Sequence, residues 1–235
     1  MEAPIPLVVD LDGTLVRSDT LVENWLVTLR RKPLIAMRSP LLLLQGKAHL
    51  KHELAMASGI DARRLPYNDA VLDFLREQHS IGRKLILATA SDQRIAAAVA
   101  SHVGVFDEIL ASDGTTNLRG RSKATALRER FGGNEFAYAG NDRHDLPVWE
   151  EAAQAVLVDV PPSVRRLVTN SVEKEFNSGI SKWRELIRGM RPYQWVKNLL
   201  VFLPLITANA LGNSSAWISA TIAFAAFSLV ASGVC

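Results

Sequence analysis

Val8-Val9-Asp10-Leu11-Asp12-Gly13-Thr14-Leu15 is an apolar run that ends in two aspartates one residue apart and then a glycine turn. Side chains alternate along a strand, but the chain turns at Gly13, so Asp10 and Asp12 both face one pocket. A pair of carboxylates there can share a hard divalent cation. One of them can act as a nucleophile while the other handles a proton. An ordinary turn rich in Asp and Gly is the plain alternative, and the coincidence of strand, acid spacing and Gly-Thr argues against it.

Outward from this stretch, strand-like runs alternate with helical patterns. Residues 5–9, 84–88, 108–111, 136–139 and 155–158 read as strands, and 68–79, 92–102, 122–131 and 145–153 show the apolar spacing of helices. Such alternation points to an α/β fold with a parallel sheet covered on both faces. Ligands of these sheets bind outside the carboxyl ends of the strands. That filter selects Asp10 and Asp12 after the first strand and Thr89-Ala90-Ser91 after the second. It also selects Lys123 at the start of a helix, and Gly140-Asn141-Asp142-Arg143-His144-Asp145 after the fourth strand. Phosphoryl transfer needs such a set: a nucleophile, a hydroxyl and an ammonium for the phosphoryl oxygens, and further carboxylates for Mg²⁺.

These residues, in this order, resemble the four motifs of the haloacid dehalogenase (HAD) phosphatase superfamily, whose first motif is Asp-x-Asp-Gly-Thr. The resemblance implies a Rossmann-like parallel sheet with a small helical cap, and Mg²⁺ as cofactor. It makes Asp10 the residue that forms an aspartyl phosphate and Asp12 the acid and base. Thr89 hydrogen-bonds the phosphoryl group and Lys123 offsets its charge. Gly13, Thr14, Ser91 and Lys197 are assigned to substrate, and Asp10, Asp12, Asn141, Asp142 and Asp145 to the metal. The fourth motif departs from the commoner pattern, because aligning Asp145-Leu146-Pro147 with the usual Asp-Leu-Pro puts the amide of Asn141 where a carboxylate normally binds the metal.

Residues 17–66 separate the first two motifs and are expected to form the cap. Residues 34–37 and 41–44 are strongly apolar but broken by Arg38-Ser39-Pro40, which argues for a cap core rather than a membrane span. His49 and His52 lie at helical spacing, without a third ligand that would suggest zinc.

The last part of the chain differs sharply in composition. No charged residue occurs after Asn198, so all 27 Lys and Arg and all 24 Asp and Glu precede Leu199. The net charge of +3 is too mild to indicate a nucleic-acid partner. The one cysteine, Cys235, excludes an intrachain disulfide. The N-terminus lacks the basic and apolar regions of a cleavable signal peptide. Arg184, Arg188, Arg191 and Lys197, interleaved with Trp183, Tyr193 and Trp195, precede the uncharged segment as at a cytosolic membrane interface. Residues 199–211 and 216–235, joined by the turn 212–215, therefore read as a transmembrane helical hairpin.

Arg191-Pro192-Tyr193-Gln194-Trp195-Val196-Lys197-Asn198, with the Leu-Leu-Val-Phe-Leu-Pro-Leu that follows, resembles the opening of UbiA-type membrane prenyltransferases, closest to the decaprenyl-phosphate phosphoribosyltransferase branch. The expected organisation is a HAD-like domain over 1–170, a linker and interfacial helix over 171–190, and the start of a UbiA-like domain over 191–235, as the N-terminal part of a longer protein or as a truncated product. The expected location is the cell membrane, multi-pass, with the HAD domain cytosolic. The bilayer and a phosphorylated small-molecule or prenyl-linked substrate are the expected partners. Two functions compete: a Mg²⁺-dependent phosphohydrolase, and a catalytically degenerate HAD scaffold or regulatory module.

Overall fold

The computed structural model describes residues 4–113, 115–178, 202 and 216–224. Residues 1–178 form one compact unit and 179–235 a second. The first is built on six parallel strands, β1 (Leu7–Val9), β2 (Leu85–Asp92), β3 (Glu108–Ser112), β4 (Ala137–Gly140), β5 (Gln154–Val158) and β6 (Ser171–Phe176), in the order β3-β2-β1-β4-β5-β6. The strand order reverses at β1, whose neighbours are β2 and β4. The loops after β1 and β4 therefore diverge at one switch point, where such sheets open a crevice.

Strand periodicity sets the two faces. Leu7, Val9, Leu85 and Leu87 pack on one side with Val71 and Leu75 of α5 (Asp69–Ser80) and Ile95 and Val99 of α6 (Gln93–Val103). Val8, Ile86, Phe136 and Tyr138 pack on the other with Leu127 of α7 (Arg121–Phe131) and Trp149 of α8 (Leu146–Glu151). All of these strand residues are fully buried, as near-continuous apolar runs in a doubly covered parallel sheet require.

The cap consists of α1 (Thr20–Arg31), α2 (Pro33–Met37), α3 (Ser39–Leu44) and α4 (Lys47–Ser58). Arg38-Ser39-Pro40 breaks the apolar run as its sequence implies, ending α2 and starting α3. The two chain crossings are tied together: Arg17 N–H donates to Pro66 O at 2.9 Å and Asn68 N–H to Leu15 O at 2.9 Å.

Two expectations are corrected. The linker expected from residue 171 starts later, because Ser171–Phe176 is the sixth strand. Its sequence, Ser-Val-Glu-Lys-Glu-Phe, suits an edge strand whose charges deter further pairing. Glu173 of this strand receives the buried Arg83 guanidinium through two bonds of 2.6 and 3.0 Å, while Phe176 meets Phe74 edge-on at 5.5 Å.

The multi-pass cell-membrane location with a transmembrane hairpin is also corrected. No helix among the described residues is long and apolar enough to cross a membrane. The described part of the second expected span is a helix over residues 216–224. The first expected span lies outside the described residues except for Phe202.

Candidate active site

The floor of the site is a set of polar groups at the carboxyl end of β1 and β4. Asp10 follows β1 and is 8% exposed. Its Oδ1 accepts a hydrogen bond from Lys123 Nζ at 2.6 Å. Lys123 comes from the first turn of α7 and is 3% exposed, so a helix on one face of the sheet delivers an ammonium to the tip of the central strand. Burial raises the Asp10 carboxyl to about 7, against the pull of Lys123 and with further upward pressure from Asp145 and Asp12. For Lys123, burial disfavours the charge, but the negative charge of Asp10, Asp145 and Asp12 holds the ammonium above its ordinary value. Lys123 thus favours the charge of Asp10 while the neighbouring acids oppose it, and those same acids together with Asp10 favour the charge of Lys123.

Lys123 Nζ also donates to the Tyr138 hydroxyl at 2.9 Å, and that hydroxyl donates to Asp145 Oδ1 at 2.7 Å. Asp145 Oδ2 accepts from the backbone N–H groups of Asn141 at 2.9 Å and Asp142 at 3.1 Å. Asp145 is therefore occupied in organising the loop after β4. Asp142 caps the short 3-10 turn Arg143–Asp145, its Oδ1 accepting from His144 N–H at 2.6 Å. Burial pushes the Tyr138 phenol well above its ordinary range, with the charges of Asp145 and Asp10 adding to it, so the hydroxyl keeps its proton.

Gly13 has φ of 76°, and a Cβ there would collide with the Asn141 side chain. A glycine is thus needed both for the left-handed turn and for the approach of the first loop to the fourth. Thr14 Oγ1 donates to Asn141 Oδ1 at 3.4 Å. Gly140 is constrained in the same way, since a Cβ would come within 2.7 Å of Asp145 Oδ2 and 2.8 Å of the Tyr138 ring.

Asp12 faces the cap. Its Oδ1 accepts from Thr20 N–H at 2.7 Å and its Oδ2 from Ser91 Oγ at 2.6 Å. Thr20 opens α1, so the second aspartate is held by the N-terminus of the first cap helix, where a carboxylate is favoured. The Thr20 and Ser91 hydroxyls lie 2.6 Å apart. Thr89 is fully buried, its Oγ1 accepting from Ser91 N–H at 3.0 Å.

Asp10, Lys123, Thr14, Asn141 and Asp145 thus join one network through Tyr138 and the loop backbone, and Asp12, Ser91 and Thr89 another. Lys197 lies outside the described residues. No group of three or more His, Cys, Asp or Glu positioned to hold a metal occurs among the described residues. The hard oxygen donors at the switch point are instead two carboxylates, Asp10 and Asp12, and the Asn141 amide. His52 is drawn to Asp92, its Nδ1 lying 2.8 Å from Asp92 Oδ2.

Two functional candidates escaped the sequence reading. Tyr138 had a signal: a tyrosine among Ala137, Ala139 and Gly140 on a central strand, in register with Val8 and hence on the face that Asp10 continues. Thr20 had none, because the cap brings it to the site by tertiary packing.

Residues 7–150 match the family model for haloacid dehalogenase-like hydrolases. An uncharacterised protein of Sinorhizobium fredii (strain NBRC 101917 / NGR234), y4nM, is 37% identical over 234 residues, covering 97% of this chain and 45% of the relative. The chain thus spans about half the length of the curated relative it matches. Among solved structures, a substrate-bound phosphoserine phosphatase superposes with a TM-score of 0.53 at 14% identity, covering 80% of this chain and 99% of the other. A HAD family hydrolase, t0658, from Salmonella enterica serovar Typhi gives 0.52 at 15% identity, covering 74% and 69%. At these identities the superpositions speak for the fold alone. The family match stops at residue 150, and the expected UbiA-type continuation finds no support in these comparisons. With the family model spanning more than half its length, the chain belongs to the haloacid dehalogenase-like hydrolases.

Proposed function

We propose that this protein hydrolyses phosphomonoesters through an aspartyl phosphate on Asp10. The observation that carries the reading is the buried Asp10–Lys123 pair at the tip of the central strand. An Asp10 oxygen attacks phosphorus, and the ester P–O bond breaks as Asp12 gives its proton to the leaving oxygen. Lys123 and Thr89 receive the phosphoryl oxygens, with Lys123 offsetting the charge that builds up in the transition state. Asp12 then takes a proton from water, the water oxygen attacks phosphorus, and the bond to Asp10 breaks to release phosphate.

The oxygen donors Asp10, Asp12 and Asn141 suit a hard cation such as Mg²⁺. Bound there, Mg²⁺ would neutralise charge on the phosphoryl group. The competing reading, a HAD module without chemistry, draws on Asn141, which brings no negative charge to the cation. The substrate is a small phosphorylated molecule. A prenyl-linked phosphate rests on the resemblance of residues 191–205, which lie outside the described residues except for Phe202.

The test is phosphate release by the chain from p-nitrophenyl phosphate and a broad phosphomonoester panel. With Mg²⁺ the wild type turns over, EDTA stops it, and Asp10→Asn lowers the rate by about a thousandfold or more. No turnover above the Asp10→Asn control across the panel establishes the module instead.

A further inference from the structure

The outer face of the cap is apolar and exposed. Residues 34–37 and 41–44 read in the sequence as a cap core, yet Ala36 alone among them is buried. Leu41 to Leu44 are four consecutive leucines, which point all round a helix of about 3.6 residues per turn, so only part of the run can pack inward. Leu34 and Met37 of α2 and Leu41 and Leu44 of α3 stand in solvent. The patch continues onto α1, where Val22, Trp25, Leu26 and Leu29 recur at the spacing of one helix face and are exposed. Trp25 Nε1 donates to Ser39 Oγ at 3.1 Å, which joins that face to the start of α3. Scattered leucines are ordinary on a protein surface, whereas a continuous apolar face marks an interaction site.

Charge narrows the occupant. No Asp or Glu occurs between Glu23 and Glu53, a stretch that contains Arg30, Arg31, Lys32, Arg38, Lys47 and Lys51. Of these, Arg30, Lys32, Arg38 and Lys47 are exposed and form no ion pair among the described residues. A second copy of the chain would bring the same cations against them, and like charges set face to face in an interface are costly. An anionic bilayer meets both requirements. The leucines enter the boundary of the acyl chains, while the cations reach the headgroup phosphates along stems that themselves lie on apolar surface.

We propose that α2 and α3, with the exposed stripe of α1, form a docking surface for a membrane leaflet rich in anionic lipid. The contact is peripheral, since single-turn helices lie in the interface plane and cross nothing. It does not depend on whether the site hydrolyses phosphate.

The test places one environment-sensitive nitrobenzoxadiazole label at a time on the full chain in a Cys235→Ser background, through Leu44→Cys on the patch or Ser80→Cys away from it. Ser80 ends α5 just before the amino end of β2, so it marks the end of the sheet opposite the cap. The probe is a vesicle of equimolar phosphatidylcholine and phosphatidylglycerol, with or without nitroxide on the acyl chains. We expect the label at Leu44 to shift to the blue and to be quenched by the nitroxide, and the label at Ser80 to do neither. Because the readout is local to Leu44, attachment of the chain by another segment does not mimic it. Vesicles of phosphatidylcholine alone weaken the binding read from the shift, and Arg38→Gln with Lys47→Gln weakens it by about fivefold per charge. Both substitutions are at exposed positions and leave the urea midpoint unchanged. No shift at Leu44, equal quenching at both positions, or binding indifferent to lipid charge overturns the proposal. So does a dimer, seen in sedimentation without vesicles, that Leu44→Glu dissociates, because it gives the face to a second copy.

Discussion

The floor of the site and the cap above it are built on different principles. On the floor, Asp10, Lys123, Tyr138 and Asp145 are all at most 8% exposed, and each is bonded to another of the set. In the cap, α2 and α3 are single-turn helices without side-chain caps, and Leu34, Met37, Leu41 and Leu44 stand 73%, 73%, 62% and 84% exposed. Four polar attachments join cap to floor among the described residues: Thr20 N–H to Asp12, the Thr20 hydroxyl to that of Ser91, Lys51 to Ala90 O, and His52 to Asp92. The difference teaches where rigidity is needed. The groups proposed to meet the phosphoryl group are fixed by a close-packed sheet, whereas the cap is held to them by a few exchangeable polar contacts, as segments of low local stability are.

The comparison implies a gradient of mutational cost, steepest in the packing beneath the floor. Leu75 on α5 is fully buried against β1 and β2. Leu75→Ala leaves a cavity that the close-packed strands cannot collapse, at a cost of about 2–5 kcal/mol. Urea unfolding followed by circular dichroism measures it. A cost below about 0.5 kcal/mol, within the range of ordinary surface substitutions, would break the claim that the sheet is the rigid part.

Tyr138→Phe probes the floor itself and comes next. It removes one hydroxyl, so Asp145 Oδ1 loses its donor and Lys123 loses an acceptor, both in a buried setting. The expected destabilisation is about 1–3 kcal/mol. Because Tyr138 acts through Lys123, it is a positioning residue: kcat falls while KM for p-nitrophenyl phosphate changes little, as for an interaction realised in the transition state. A rise in KM at constant kcat would instead make Tyr138 part of ground-state binding.

The same division decides what was legible in the sequence. Asp10, Asp12, Thr89, Lys123 and Asn141 could be singled out because each is local to a strand end or a helix start, and the alternation of strands and helices orders those ends along one edge. β6 was missed because its alternation of Val, Glu, Lys and Phe gives half an apolar face, and its anchoring comes from Arg83, distant in the chain. Asp145 was assigned to a metal through the family resemblance, yet the structure turns both its oxygens to donors within the floor. Spacing fixes which loop a residue occupies, whereas the direction of a carboxylate depends on neighbours such as Tyr138. The uncharged tail suggested two membrane spans from composition alone, whereas no helix among the described residues is long and apolar enough to cross a membrane.

The smallest effect belongs to the outer face of the cap. Leu44 ends α3 and is 84% exposed, so removing its side chain takes almost nothing out of a packed environment. Surface substitutions of this kind stay within about 0.5 kcal/mol. Leu44→Ala is therefore expected to leave the urea midpoint unchanged, and alanine suits a helix terminus at least as well as leucine does. Activity toward p-nitrophenyl phosphate should also be unaltered, since neither cap-to-floor attachment on α4 involves α3. A loss approaching that of Leu75→Ala would mean that this apolar face is covered in solution. The contrast between a packed floor and an open cap would then hold only for the isolated chain.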